Sequence, residues 1–227
     1  MDSRELAGAL NALGIVCKYT GRFSEGEGHY VRALAILEVN GEAEMPLAAA
    51  VHHNIGGIRH ARGDYAGAES PARHAVAINE RALGHDHPVT AADRAALAPI
   101  LDALARHDEA EELLRQALAT FEREQDDYEI AMTVGNLAAI AQRRGDLEAA
   151  AVMHRRALDT KERTMGSDHP ELATTLSNLA TTLHALGRSE EALPLLRRAL
   201  ALAEGSLEPD HPNLAALRGN LQKVEAG

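Results

Sequence analysis

Tryptophan is absent from the 227 residues, phenylalanine occurs twice and tyrosine four times, although 45% of the chain is hydrophobic. The apolar content is therefore mostly aliphatic, in stretches such as Leu113-Leu114 and Ala199-Leu200, which suits helices around a core of small and medium side chains. Cys17 is the single cysteine, which excludes an intrachain disulfide framework and a zinc site built from cysteines. No segment approaches a membrane-spanning length of about 18 apolar residues, and Met1-Asp2-Ser3-Arg4-Glu5 lacks the basic flank and apolar run of a signal peptide. A cytoplasmic protein is expected. The formal net charge of −11 repels phosphate backbones and anionic headgroups, so neither nucleic acid nor a membrane is expected as a partner.

Chemistry-bearing motifs are also scarce. There is no Gly-rich phosphate loop, no Gly-x-Ser-x-Gly elbow, and no Ser/His/Asp or Cys/His set that the chain's periodicity brings together. The Glu109, Glu111 and Glu112 run reads as the solvated face of a helix, and Cys17 as an inert core residue. The twelve histidines cluster as His52-His53 with His60 and as His85-Asp86-His87. His53 and His60 stand two turns apart, and the tighter four-residue spacing of helical zinc motifs is absent from these clusters. No enzyme activity, cofactor or metal is expected.

What the chain does have is a period. Gly21-Arg22-Phe23-Ser24-Glu25 recurs as Gly63-Asp64-Tyr65-Ala66-Gly67, Gly145-Asp146-Leu147-Glu148-Ala149 and Gly187-Arg188-Ser189-Glu190-Glu191, with Ala105 in the missing slot. The markers fall 42, 42, 40 and 42 residues apart, and thirteen residues after each comes Leu34, Val76, Leu118, Leu158 or Leu200. Pro46, Pro88, Pro170 and Pro212 run in phase, the last three within Asp-His-Pro triplets. Proline belongs in the first turn of a helix, so each triplet predicts the start of a first helix, and each glycine the turn into a second. The predicted units are 4–45, 46–87, 88–127, 128–169 and 170–211, followed by a capping helix over 212–225.

Ser24-Glu25-Gly26-Glu27 reads as a capping box, and Asp64 and Asp146 as N-caps. Small residues recur where two helices approach: Gly14, Gly56, Ala98, Ala138 and Ala180 on first helices, and Ala33, Ala75, Ala117, Ala157 and Ala199 on second helices. A two-helix unit cannot bury its apolar face alone, but stacked units can.

The in-phase motifs Asn178-Leu179-Ala180, Gly187 to Ala192, Arg198-Ala199-Leu200 and Asp210-His211-Pro212 repeat as Asn136-Leu137-Ala138, Gly145-Asp146, Arg156-Ala157-Leu158 and Asp168-His169-Pro170. This pattern resembles the tetratricopeptide repeat, in the 42-residue variety found in kinesin light chains and many bacterial proteins. The resemblance implies an all-α fold, a right-handed superhelix or α-α solenoid of five helix pairs plus a C-terminal capping helix. It also implies a protein or peptide ligand held in a concave groove lined by first helices.

Departures from the family pattern are local. The usual aromatic after the Asn-Leu-Ala segment is replaced by Arg59, Leu101, Ala141 and Leu183, which predicts lighter packing. The third unit has Ala96 in the asparagine slot, Ala105 in the glycine slot and Pro99 inside its first helix. An interior proline loses one hydrogen bond at a cost of about 3 kcal/mol, which predicts a bend or hinge there.

The candidate binding residues follow from helical register. Asn54, Asn136, Asn178 and Asn220 share one position on four first helices. An amide offers a donor and an acceptor together, so such a ladder either grips the backbone of an extended peptide or ties neighbouring helices at fixed spacing. Asn11, Lys18, His53, His60, Asp102, Gln142, Arg143, Ser177, Thr181 and His184 project to the same side, a mostly polar set suited to hydrogen-bonded recognition. The expected function is an interaction scaffold or adaptor. The alternatives are a self-assembly module forming a homo-oligomer and a regulatory domain sensing a small peptide.

Overall fold

The computed structural model describes residues 3–206 and 211–226. Every regular element among them is an α-helix: α1 (Ser3–Tyr19), α2 (Phe23–Val39), α3 (Pro46–Ala61), α4 (Tyr65–Leu83), α5 (Pro88–Ala103), α6 (His107–Glu124), α7 (Asp127–Arg143), α8 (Leu147–Met165), α9 (Leu172–Ala185), α10 (Ser189–Glu204) and α11 (Pro212–Ala226). Two compact units, Met1–Thr120 and Phe121–Gly227, divide the chain. In the first, α1 packs on α2 and α3 on α4, each pair contacts the next through α2–α3 and α4–α5, and α1, α3 and α5 lie side by side. In the second, α7–α8 and α9–α10 form the pairs, and α11 packs on both α9 and α10.

One backbone device closes α1, α3, α5, α7 and α9. Gly21, Gly63, Gly145 and Gly187 have φ of 73°, 76°, 82° and 76°, the left-handed region that glycine enters without a Cβ penalty. The residue after each donates its N–H five residues back, as in Asp64 to Arg59 O (2.9 Å) and Arg188 to Leu183 O (2.8 Å), while the glycine itself bonds three residues back. This is a Schellman turn, which satisfies carbonyls that a helix end leaves open. Ala105 performs the same turn at φ 60°, with Arg106 N–H on Leu101 O at 2.9 Å. The geometry is therefore kept where the glycine is missing, against a penalty of about 1–2 kcal/mol for an L-residue.

The helix starts are partly as predicted. Asp64 and Asp146 cap α4 and α8, accepting from Gly67 N (3.0 Å) and Ala149 N (3.2 Å). The expected capping box at Ser24 is not formed: α2 starts at Phe23 with Arg22 as a cap that makes no side-chain bond, and Ser24 is already inside the helix. The triplet histidines prove to be caps. His87, His169 and His211 each accept through Nδ1 from the N–H two residues on, at 3.2, 3.3 and 3.2 Å. The following proline removes one open N–H of the first turn and the imidazole satisfies the next. Asp210 lies outside the described residues. Pro46 and Pro88 open α3 and α5, whereas α9 begins two residues after Pro170. Three-residue bonds from Leu172 to His169 and from Ala173 to Pro170 tighten that first turn out of α geometry.

The predicted small residues lie at the tight contacts. A Cβ on Gly14 would fall 2.3 Å from the Tyr30 ring, and one on Gly56 would fall 3.1 Å from Ala72 Cβ. Ala98, Ala138 and Ala180, and the five second-helix alanines, are all buried. Leu172, Leu176, Leu179, Leu183 and Leu196 make the core of the second unit, and Leu214, Leu217 and Val224 of α11 cover its end. No helix among the described residues is long and apolar enough to cross a membrane.

Interior prolines do not break the helices. α5 passes through Pro99 as one helix to Ala103, and α4 and α10 pass likewise through Pro71 and Pro194. The proline at which a bend is expected thus does not end α5, and an interior proline is not peculiar to the third unit. Pro71 has no N–H for the carbonyl of Gly67, and the Arg59 guanidinium supplies one instead at 2.8 Å while pairing with Glu27 at 2.7 Å. The slot read as lightly packed is spanned by a side chain that repairs a neighbouring helix.

Removing this donor should therefore cost about 1–3 kcal/mol in Arg59→Ala. In a Pro71→Ala background the restored N–H serves Gly67, and the cost should shrink by about 1 kcal/mol. Urea unfolding of the four-protein cycle measures the coupling, and strict additivity would refute the repair role.

Candidate functional site

In the first unit the candidate residues are largely engaged with each other. Asn54 Nδ2 donates to Asn11 Oδ1 at 2.9 Å, tying α3 to α1. His53 Nδ1 meets Asp93 Oδ1 at 2.7 Å, and the other Asp93 oxygen accepts from Asn79 Nδ2 at 2.7 Å. Asp93 is buried, so the imidazole is held by a carboxylate with partners on both oxygens. Lys18 reaches over α3 because Gly57 leaves room: a Cβ there would lie 2.9 Å from the Lys18 Nζ. His60 packs its ring 5.4 Å from that of Tyr65.

Asp102, expected on the open face, is instead buried, and its Oδ1 meets His107 Nδ1 at 2.7 Å. Its carboxylate sits at the first residue of α6, where the unpaired N–H groups of a helix start favour negative charge.

The second unit presents a different picture. Asn220 Nδ2 donates to Ser177 Oγ at 3.2 Å, repeating the Asn54–Asn11 relation between residues 43 apart. The counterpart 43 residues before Asn178 is Gly135, which has no side chain to accept. Asn178 is exposed and Asn136 half-buried, and neither amide has an intramolecular partner among the described residues. Gln142 Oε1 accepts from the buried Thr182 hydroxyl at 3.1 Å, and Thr181 bonds back to the Asn178 carbonyl at 3.0 Å. His184 Nδ1 meets Ser189 Oγ at 2.9 Å, and the exposed Arg143 bonds Ala139 O at 3.3 Å.

Beside Asn178 lies an open cavity of about 540 Å³, lined by Thr174, Ser177, Asn178, Asn213 and Asn220 among others. A second hollow of about 640 Å³ lies on α8 and the start of α10. Its arginines are matched with acids: Arg156 with Glu122 (2.5 Å), Arg188 with Glu191 (2.7 Å), and Arg155 with the same Glu191 (3.9 Å). It is a self-neutralised surface. Sequence reasoning missed the Asp93 clasp on His53 and a cluster of Cys17, Glu25 and His29. The four-residue spacing of Glu25 and His29 was a legible signal for the latter.

Antiparallel helix pairs joined by Schellman turns, with amides at one repeated position, define an α-helical repeat protein. The tetratricopeptide repeat family matches residues 5–80, 47–123 and 129–205. The chain belongs to that family.

Among solved structures, the kinesin light chain nearly identical TPR-like repeats of Podosopora anserina are 24% identical, with a TM-score of 0.71 over 92% of this chain and 100% of that one. BtubC (BKLC) from P. vanneervenii is 21% identical, with a TM-score of 0.62 over 100% of this chain and 88% of that one. PilF of Pseudomonas aeruginosa is 16% identical, with a TM-score of 0.64 over 100% and 91%. These likenesses concern the fold. No curated protein matches the chain.

Three imidazoles are pushed toward neutrality by their surroundings. Burial lowers His52, with a further push from His74 stacked 5.2 Å away, and burial with the nearby Lys18 charge lowers His60. The extreme case is His154 of α8, fully enclosed with neither ring nitrogen partnered. Burial takes it from 6.5 to about 4. Below pH 6.5 the unfolded chain takes up a proton that the folded chain refuses. The stability linked to His154 is therefore full above pH 6.5 and is lost as pH falls through 4, by about 3 kcal/mol in all. Leu114 and Leu196 occupy the same position in neighbouring repeats. His154→Leu should leave a shallower fall in melting temperature between pH 7 and pH 4 than the parent shows. Equal pH slopes in calorimetry of the two proteins would contradict this.

Proposed function

We propose that the chain is a non-catalytic cytoplasmic scaffold that holds an extended peptide or partner segment against its first helices, with α7 and α9 as the principal contact. The free, exposed amide of Asn178 beside a hydrogen-bonding cavity carries this reading. An amide with both donor and acceptor open suits the repeating N–H and C=O of an extended backbone, whatever its side chains. Asn136 offers a second such grip. Gln142, Arg143, Thr181 and His184 border the same face and supply the polar contacts around it. In the first unit Asn11, Lys18, Asn54, His53 and His60 form a more self-satisfied set of their own, and Asn220 of the second unit is tied to Ser177.

The test uses a peptide selected from a displayed library of extended sequences against the full chain, with affinity read by fluorescence anisotropy. Asn136→Ala with Asn178→Ala should weaken it about tenfold, from two hydrogen bonds of about 0.5–1.5 kcal/mol each, while the melting temperature stays near that of the parent. Unchanged affinity would overturn the amide grip.

A second reading, self-association, is favoured by one observation. Leu6, Leu13 and Val16 leave 36%, 50% and 52% of their surface exposed along one face of α1, an apolar stripe at helical spacing. If copies meet there, light scattering should show a concentration-dependent dimer that Leu13→Glu abolishes. A strict monomer at every concentration would dismiss this reading.

A further inference from the structure

Glu25 and His29 stand one turn apart on α2, and Cys17 faces them from α1. The thiol sulfur, a Glu25 carboxylate oxygen and a His29 ring nitrogen all lie within 4.8 Å of one another, and Glu25 Oε1 is 3.7 Å from His29 Nε2. We propose that Cys17, Glu25 and His29 form a binding site for a zinc-class divalent cation, with three protein ligands and a fourth position open to water.

The placement is built by the helix pair itself. A spacing of four puts Glu25 and His29 on one face, the spacing used by helical zinc chelates. Between them in sequence is Gly26, buried against α1. A Cβ there would come within 3.0 Å of Cys17 Cβ and 3.1 Å of the Gly14 carbonyl. Lacking one, α2 settles close enough for the thiol to reach the level of the other two ligands. Cys17 is 2% exposed, whereas the side chains of His29 and Glu25 are 20% and 52% exposed. The sulfur is thus the floor of the site, and the imidazole and carboxylate are its rim.

The donor chemistry selects the ion. Bonds of about 2.3 Å to sulfur and about 2.0–2.2 Å to nitrogen and oxygen place tetrahedral ligand atoms about 3.3–3.7 Å apart. The Glu25–His29 separation is already at that spacing, and the sulfur needs a closure of about 1 Å at most. Thiolate with imidazole favours zinc-class ions over calcium or magnesium, which take oxygen donors. Thiolate and carboxylate together cancel the double positive charge. On binding, the metal–sulfur bond replaces the S–H bond and the proton leaves to solvent, so affinity rises with pH. The competitor is also visible: Arg22 Nη1 donates to Glu25 Oε2 at 3.2 Å and its Nε to Thr20 Oγ1 at 3.1 Å. The arginine must release the carboxylate for the ion to bind.

The site is independent of the peptide reading and is tested on the reduced full chain by cobalt(II) titration. Binding of one ion per chain should produce thiolate-to-cobalt charge-transfer absorption, which zinc then abolishes, and zinc should raise the melting temperature. Cys17→Ser should remove the charge-transfer band, and Glu25→Gln and His29→Gln should each weaken binding about a hundredfold. Arg22→Ala should tighten it. Glu25 and His29 lie toward the surface, so their variants remain informative if Cys17→Ser fails to fold, and circular dichroism verifies each. Absence of the thiolate band in the parent, or parental affinity in the Glu25 and His29 variants, would overturn the assignment.

Discussion

A left-handed residue between the two helices of each pair is the constraint on which this architecture rests. It turns the chain back within two residues, so that the second helix runs antiparallel to the first and their small residues meet. The turn is a backbone requirement and not a glycine requirement. Ala105 adopts it at φ 60°, and Arg106 after it makes the same bond to the carbonyl five residues back, because the packed helices on either side outweigh the local strain.

Around that scaffold the chain compensates for its irregularities with side chains from neighbouring elements. Arg59 serves the Gly67 carbonyl that Pro71 leaves open, and the triplet histidines supply the acceptor that the first turn of α5, α9 or α11 needs. Buried Asp93 is satisfied from α3 and α4 at once. Such pairings carry polar atoms into a core that has few aromatics to fill it. His154 stands outside such pairings, with neither ring nitrogen partnered, and it is there that burial most depresses an imidazole.

The asparagine position shows how one motif divides into roles. A side chain 43 residues earlier decides the outcome: Asn11 occupies the amide of Asn54 and Ser177 that of Asn220, while Gly135 leaves Asn178 open. The candidate surface in the second unit is therefore defined as much by a missing side chain as by the asparagines. Asp102 shares the register of that surface but turns to His107, since the start of α6 offers it a better electrostatic partner.

Helix number, turn positions and the family were legible along the chain because they depend on contacts between residues close in sequence, repeated five times in phase. Local caps were legible where aspartate follows glycine, as at Asp64 and Asp146, and misread at Ser24, where the turn had already placed the cap two residues earlier at Arg22. What remained hidden depends on residues brought together from different helices: the engagement of two asparagines and the freedom of two others, the Arg59 repair of α4, and the meeting of Cys17 with Glu25 and His29. Periodicity assigns each of these to a face. Only the packed helices decide what stands opposite, because side-chain pairing is a matter of a few ångströms between elements that the local pattern does not measure.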